Sequence, residues 1–203
     1  QDEVLNDKQK IGLKYYEDIL KRIPRDEIKL YDNILSNVYK KVGNKETYYE
    51  IVGSYRRGAT DSGDIDVIIT SDSVDIFDKF IDNLIEDKII IEVLSNGKTK
   101  SMVIARLNKE SIARRVDFMY TPQEEYPFAI LYFTGSKIFN TVMRGHALNQ
   151  GLSLNEHGIY KKEKGKEKGE RISKNFETEE DIFESLDLKY KKPEERIDGR
   201  AVE

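Results

Sequence analysis

Hydrophobic side chains recur at a helical spacing in the first part of the chain, where helices are predicted over residues 11–22, 24–42 and 74–87. Apolar residues at every third or fourth position line one face of a helix. In the second helix this face consists of Ile28, Tyr31, Leu35, Val38 and Val42. The first two helices are therefore expected to form an amphipathic pair that faces the core.

Short apolar runs bounded by Gly, Ser, Asp or Lys predict β-strands in the same part of the chain. They cover residues 48–52, 65–70, 89–94, 100–107 and 115–120. Strands interleaved with helices in this way are typical of an α/β or α+β fold, in which a mixed β-sheet carries helices.

The pattern becomes mainly helical beyond Pro122, which we interpret as a boundary. Helices are predicted over residues 124–133, 136–150 and 178–186. Thr178 suits the N-terminal cap of the last helix. A strand is predicted over residues 153–160, and the run 161–171, rich in Lys and Glu, is expected to be a solvated hairpin tip.

Composition restricts the chemistry of any bound metal. The 203 residues contain no Cys and two His, which excludes a disulfide framework, a thiolate metal site and a zinc cage made of histidines alone. A bound metal is therefore expected to be a hard cation with oxygen ligands. No apolar run approaches the roughly 20 residues that cross a bilayer, so the chain is expected to be soluble and intracellular, with no membrane partner.

Charge is unevenly distributed, although the formal net charge is only -4. Residues 61–92 contain ten Asp or Glu and two Lys, whereas residues 95–115 contain six Lys or Arg and one Glu. An acidic cluster beside a basic stripe could hold a divalent cation next to a phosphate backbone. Two ordinary solvated faces are the alternative interpretation.

The acidic stretch contains a candidate metal site. Asp64 and Asp66 flank Ile65 at the start of an apolar strand, and the two-residue repeat of a strand turns both carboxylates to one face. Asp117 lies in another apolar strand that could pair beside the first. Two Mg²⁺ ions, or Mn²⁺ in their place, would relieve the repulsion between three such anions and support phosphoryl transfer. Strand-end aspartates that make turn hydrogen bonds are the alternative.

The turn before these aspartates, residues 53–58 with the sequence GSYRRG, suits phosphate binding. Its glycines let backbone amides approach a phosphate, Ser54 offers a hydroxyl, and Arg57 offers a guanidinium for non-bridging oxygens. A surface turn rich in Arg is the competing interpretation. Phosphate donors and metal ligands are thus expected in one region.

Residues 53–66 (GSYRRGATDSGDID) closely resemble the catalytic signature of the nucleotidyltransferases, and of family X DNA polymerases of the DNA polymerase beta type in particular. Residues 131–136 (LYFTGS) resemble the nucleotide-binding signature of the same family and are the more discriminating motif. The resemblance extends from Ile11 to Arg196. It implies a nucleotidyltransferase-type palm over residues 22–120, a small α/β nucleotide-binding lobe (thumb and fingers) over 121–203, and an N-terminal helical segment over 1–21.

The resemblance also implies roles for individual residues. Asp64 and Asp66 are expected to ligate both metal ions, and Asp117 the ion that activates the primer 3'-hydroxyl. The expected nucleotide-binding residues are Arg22, Ser54, Arg57, Gly63, Tyr132, Phe133, Gly135 and Asn140. The expected DNA-binding residues are Lys100, Arg115 and Arg144. In the family the link from Gly135 to Ser136 is a cis peptide.

The implied function is that of a repair-type DNA polymerase, as in base excision repair, which uses dNTPs to extend a primer on gapped or primer-template DNA. We expect it to act as a monomer, in the nucleus if the source is eukaryotic. The alternatives are a template-independent nucleotidyltransferase and a catalytically silent module that binds DNA ends. The short loop at residues 95–100 favours template-directed synthesis, because template-independent members carry a longer insertion there. Neither a lyase region nor helix-hairpin-helix elements occur in these residues, so excision of a 5'-deoxyribose phosphate is not expected.

Overall fold

A computed structural model describes residues 4–165 and 169–203. Contacts between Cα atoms divide the chain into two compact units. The first, which we call the sheet unit, contains Gln1–Ile51 and Ala59–Tyr120; the second, the hairpin unit, contains Val52–Gly58 and Thr121–Glu203. The three-segment division drawn from the sequence, 1–21, 22–120 and 121–203, stays a prediction about domains.

The α-helices in chain order are α1 (Asp7–Lys14), α2 (Tyr16–Leu20), α3 (Arg25–Val42), α4 (Gly53–Arg56), α5 (Asp75–Glu86), α6 (Tyr126–Thr134), α7 (Lys137–Asn149) and α8 (Glu179–Ser185). The strands are β1 (Ile23–Pro24), β2 (Tyr48–Ile51), β3 (Asp61–Ser62), β4 (Ile65–Thr70), β5 (Ile90–Asn96), β6 (Lys100–Ala105), β7 (Arg114–Tyr120), β8 (Leu152–Asn155) and β9 (Gly158–Lys161). Among the residues that the structure describes, there is no helix with the length and apolar character that crossing a membrane requires.

The sheet unit is built on a five-stranded mixed sheet with the order β2-β4-β7-β6-β5. Strand β4 pairs in parallel with β7, and the other neighbours are antiparallel. The helices α3 and α5 each bury an apolar face in this unit, and that of α5 consists of Ile76, Phe77, Phe80, Ile81 and Leu84. The mixed α+β fold expected from the sequence is confirmed.

The prediction of one helix at the start of the sheet unit is wrong, because two helices form there. The helix expected over residues 11–22 is two short helices that meet at Tyr15, and neither contains a buried residue. Residues 21–22 are not helical, because Pro24 restricts the backbone before it and Ile23 pairs as a strand with Ser62. This pairing, β1 with β3, was not predicted.

The hairpin unit packs α6, α7 and α8 around a core that includes Phe128, Phe139 and Phe183. The single strand predicted over residues 153–160 is instead a hairpin, β8 and β9. The chain turns because the Asn155 side chain accepts hydrogen bonds from the amides of His157 (2.8 Å) and Gly158 (3.1 Å). Of the predicted hairpin tip at 161–171, residues 166–168 lie outside the described residues.

Thr178 begins α8 as predicted. Its hydroxyl accepts from the Asp181 amide (3.3 Å), and the Asp181 carboxylate accepts from the Thr178 amide (3.0 Å), which completes a capping box. We expect Thr178→Ala to lower the free energy of unfolding by about 1 kcal/mol, because one helix amide loses its acceptor. Thr178→Ser keeps the acceptor and should unfold at the same urea concentration as the parent chain. An equal loss of unfolding free energy in both variants would contradict a capping role for the Thr178 hydroxyl.

Candidate functional site

The three predicted metal-binding aspartates lie on neighbouring strands of the sheet unit. Asp66 and Asp117 are register partners in the parallel pair of β4 and β7, so their side chains leave the sheet on the same face. Asp64 stands two residues before Asp66, at the residue that precedes β4. The structure thus brings together the three carboxylates that the sequence singled out.

Burial and nearby negative charge raise the pKa of two of these carboxylates, Asp64 and Asp66. Burial, together with the charges of Asp64 and Asp117, raises the pKa of Asp66 to about 7. Burial and then the charge of Asp117 also raise the pKa of Asp64. The charges of Asp64 and Asp117 thus oppose the ionisation of Asp66, so the cluster is one that a cation would stabilise.

Two of the predicted DNA-binding residues, Lys100 and Arg115, lie within electrostatic reach of the carboxylates. The Nε atom of Arg115 is 3.3 Å from Oδ1 of Asp117, and the charges of Arg115 and Lys100 partly offset the rise in the pKa of Asp66. The prediction from the sequence did not include the pairing of Arg115 with Asp117. A contact of either side chain with DNA stays a prediction.

The chemistry of the three carboxylates suits a divalent cation. Carboxylate oxygens are the ligands that Mg²⁺ prefers, and mutual repulsion among them is what such an ion relieves. Within residues 4–165 and 169–203, however, no group of three or more His, Asp or Glu side chains is placed so that it could hold a metal ion. The two-ion site therefore stays a proposal.

Arg22 and Gly63, both predicted to bind the triphosphate, are neighbours in the sheet unit. A Cβ atom added at Gly63 would lie 3.2 Å from Nη1 of Arg22, so the absence of a side chain lets the guanidinium approach. Arg22 also forms an ion pair with Asp61, whose Oδ1 atom is 2.7 Å from Nη2. Asp61 was not singled out from the sequence.

In the hairpin unit, the predicted phosphate-binding turn is partly helical. Ser54 lies in the four-residue helix α4, which starts at Gly53 with φ +66°. Arg57 follows this helix, and its Nη1 atom donates to the carbonyl of Thr134 (2.6 Å). Burial lowers the pKa of Arg57. A side chain at Gly135 would lie 3.2 Å from the same guanidinium, at a backbone φ of +68° that favours glycine.

The remaining predicted nucleotide-binding residues lie at the junction of α6 and α7. The Asn140 amide donates to the Tyr132 carbonyl (2.7 Å), and the Arg144 guanidinium lies 4.4 Å above the Tyr132 ring. The ring of Phe133 packs edge-on against Tyr132, with 4.9 Å between centroids. Asn140 and Arg144 thus share a helix face, as their spacing indicated, and the bond from Gly135 to Ser136 is cis.

A buried ion network beside this junction was missed by sequence reasoning. Glu179 accepts from Arg56 and Arg196, with its Oε2 atom 3.1 Å from Nη1 of Arg56 and 2.5 Å from Nη1 of Arg196. Arg196 is fully buried, and its carbonyl accepts from the amide of Ser136 (3.2 Å). Arg56 and Arg196 lie 123 and 17 residues from Glu179, too far for a local pattern, so no sequence signal marked them as partners.

Comparisons with known proteins agree with these features. The family model described as DNA polymerase beta palm matches residues 22–123, and the one described as DNA polymerase beta thumb matches residues 129–197. DNA polymerase lambda of Rattus norvegicus is 33% identical over 206 residues, which cover 95% of this chain and 36% of the relative. DNA polymerase lambda of Arabidopsis thaliana is 29% identical, over 96% of this chain and 40% of the relative.

A third relative, the DNA nucleotidylexotransferase of Xenopus laevis, is 27% identical over 93% of this chain and 44% of its own length. The chain thus spans less than half the length of each of these relatives. The palm match alone covers half of the chain, and the thumb match continues it. The chain therefore belongs to the family X DNA polymerases, whose palm and thumb it contains.

Proposed function

We propose that the chain is a template-directed DNA polymerase of the repair type, which adds a dNMP to a primer 3'-hydroxyl on gapped DNA. The observation that carries the proposal is the register pairing of Asp66 with Asp117, two residues from Asp64, on one face of the sheet. The names of the relatives, DNA polymerase lambda among them, support the same activity.

In the proposed reaction the primer 3'-oxygen attacks the α-phosphorus of a dNTP. The new bond to phosphorus forms as the bond to the β-phosphate oxygen breaks, the hydroxyl proton passes to solvent water, and pyrophosphate departs. Mg²⁺ or Mn²⁺ bound by Asp64, Asp66 and Asp117 would acidify the hydroxyl and offset the charge of the leaving group. The carboxylates would thus orient the reacting groups, with Asp117 nearest the primer.

Other residues would bind the nucleotide. The guanidinium groups of Arg22 and Arg57 and the hydroxyl of Ser54 would donate hydrogen bonds to triphosphate oxygens. Gly63 has no side chain and would leave room for a phosphate group. The charge of Arg57 is kept at neutral pH, because Arg remains protonated even where burial lowers its pKa.

The aromatic pair Tyr132 and Phe133 would contact the sugar of the nucleotide. The Asn140 amide already fixes the Tyr132 carbonyl, which would lie near the position of the extra hydroxyl of a ribonucleotide. Asn140 would also contact the incoming base, and Arg144 the template side. Lys100 and Arg115 would contact the DNA backbone, so binding is expected to weaken with salt.

Single-nucleotide incorporation into gapped DNA tests the proposal. With each of the four template bases in turn, the matched dNTP should be preferred by about 100-fold or more, because pairing with the template selects it. Neither a single-stranded oligonucleotide nor a reaction with EDTA should give product. Extension of single strands regardless of template would instead support the activity named for the Xenopus relative. Tight binding of gapped DNA without incorporation would support a silent end-binding module.

A further inference from the structure

Asp61 binds one edge of the Arg22 guanidinium in the sheet unit. Its Oδ1 atom accepts from Nε (2.9 Å) and from Nη2 (2.7 Å) of Arg22. Among the described residues, Nη1 of Arg22 has no hydrogen-bond acceptor. One edge of the Arg22 guanidinium is therefore held by the Asp61 carboxylate, while Nη1 remains available to a ligand.

The backbone that carries Arg22 is fixed independently of this ion pair. Arg114 is 2% exposed, and its Nη1 atom donates to the carbonyls of Lys21 (3.3 Å) and Arg22 (3.1 Å). Arg114 is in turn held by two bonds to the Glu27 carboxylate, one of them 2.5 Å long. Because the main chain is anchored, the direction of the Arg22 side chain depends on what its guanidinium contacts.

The available Nη1 atom lies beside Gly63, the residue before Asp64. A Cβ atom there would be 3.2 Å from Nη1, and the charge of Arg22 lowers the pKa of Asp64 against the larger effect of burial. The pairing of β1 with β3 brings Pro24 opposite Asp61, so the two segments keep one register. The donor is thus presented next to the candidate carboxylate site.

We propose that Asp61 is a positioning residue, which orients Arg22 so that Nη1 donates to a phosphate oxygen of the nucleotide triphosphate. This inference rests on the proposed function for the identity of the ligand. A free Arg side chain samples many rotamers, and ordering it on binding weakens affinity. An orientation fixed in advance by Asp61 removes part of that loss.

The ion pair itself contributes little to the fold. The side chains of Arg22 and Asp61 are 61% and 48% exposed, and ion pairs this exposed have small effects on stability. Variants at Asp61 should therefore fold normally, and an effect on ligand binding can be measured directly.

A comparison of Asp61→Asn with Asp61→Ala tests the proposal, because both variants remove the same charge and only Asn keeps an acceptor. Inorganic tripolyphosphate would be titrated calorimetrically into the full 203-residue chain in EDTA. We expect Asp61→Asn to bind about 3- to 10-fold more tightly than Asp61→Ala, as expected for one ordered side chain. In an Arg22→Ala background the two variants should bind tripolyphosphate equally.

On gapped DNA, Asp61→Ala should raise KM for dNTP and leave kcat within about twofold.

The matched control is Asp87, another exposed carboxylate of the sheet unit, which is 3.8 Å from Lys41. Its Asn and Ala variants should bind tripolyphosphate equally. Equal binding by the two Asp61 variants, or a difference that persists without Arg22, would overturn the inference. If the expected pattern appears in a chain that does not extend primers, the polymerase assignment fails while the positioning role stands.

Discussion

Asp66→Asn is expected to abolish primer extension, with a loss of at least about 1,000-fold in kcat/KM. The amide keeps the size of the carboxylate but cannot supply its charge to a divalent cation. Asp117→Ala should be similarly inactive, because Asp64 and its register partner Asp66 would remain as the only two carboxylates for the proposed ions. Single-turnover incorporation into gapped DNA measures both losses, and more than about a tenth of parental activity in either variant would contradict the site assignment.

Asp66→Asn should also stabilise the metal-free protein against unfolding at alkaline pH. The pKa of Asp66 is raised from 3.8 to about 7 in the folded chain, so the folded state holds a proton that the unfolded state releases. Stability from this protonated carboxyl is fully present below about pH 4 and is lost as pH rises to 7. Asn cannot ionise and avoids that loss. We expect a gain of about 1–3 kcal/mol at pH 8, which includes a discount for solvent screening.

Urea unfolding of the parent chain and the Asp66→Asn variant in EDTA, at pH 5 and pH 8, measures this gain. The difference should increase between the two pH values and should shrink when Mg²⁺ is added, because the ion stabilises only the parent carboxylate cluster. Asp72 is the control: hydrogen bonds from Asn44 and Ser71 lower its pKa, so Asp72→Asn should give no gain at pH 8. A gain that is independent of pH would show that the carboxyl charge is not its cause.

The sheet could be predicted from local patterns where a strand is a short apolar run between turn-forming residues. The bounds of β4, Ile65–Thr70, match the prediction, since an apolar run between Gly, Ser and Asp residues leaves little choice. The strands β1 and β3 have two residues each and lie 37 residues apart. Their pairing depends on tertiary contacts alone, so no local pattern could have marked them.

The hairpin of β8 and β9 did leave a signal that was misinterpreted. Asn155 and Gly158 occupy the ends of a four-residue turn, and both are turn-forming residues. The predicted single strand over residues 153–160 would have to extend through both of them. The turn chemistry of these two residues therefore decides the structure at this position.

The candidate site was predictable only in part. The spacing of Asp64 and Asp66 placed both on one face of a strand, which follows from strand geometry. That Asp117 lies beside them depends on the strand order, which the sequence does not encode locally, and it was expected chiefly from the resemblance to a family. Partners fixed by tertiary contacts, such as Asp61 for Arg22, could not be found without coordinates.

The buried ion network of the hairpin unit is the second place where one substitution should have a large effect. Glu179 is the carboxylate shared by Arg56 and Arg196, and Arg196 is fully buried among the rings of Phe139, Phe183 and Tyr190. Within the part of the chain that the structure describes, the buried Nη2 atom of Arg196 has no hydrogen-bond partner. The charge of this guanidinium therefore depends on Glu179 for compensation.

Glu179→Gln should lower the free energy of unfolding by about 3–5 kcal/mol, because it leaves a buried guanidinium uncompensated. The neighbouring Glu180 is exposed, so Glu180→Gln should change stability by less than about 0.5 kcal/mol. Urea unfolding of both variants gives the comparison, and a small loss at Glu179 would mean that water or the aromatic rings compensate the charge.

The network also contacts the junction of α6 and α7, since Arg56 donates to the Thr134 hydroxyl (2.9 Å) and the Arg196 carbonyl accepts from the amide of Ser136. Its loss should therefore affect more than stability. At a temperature where Glu179→Gln is folded, KM for dNTP should rise while the affinity for gapped DNA stays unchanged, because the residues at this junction are the ones proposed to bind the nucleotide. An unchanged KM together with the large loss of stability would limit Glu179 to a structural role.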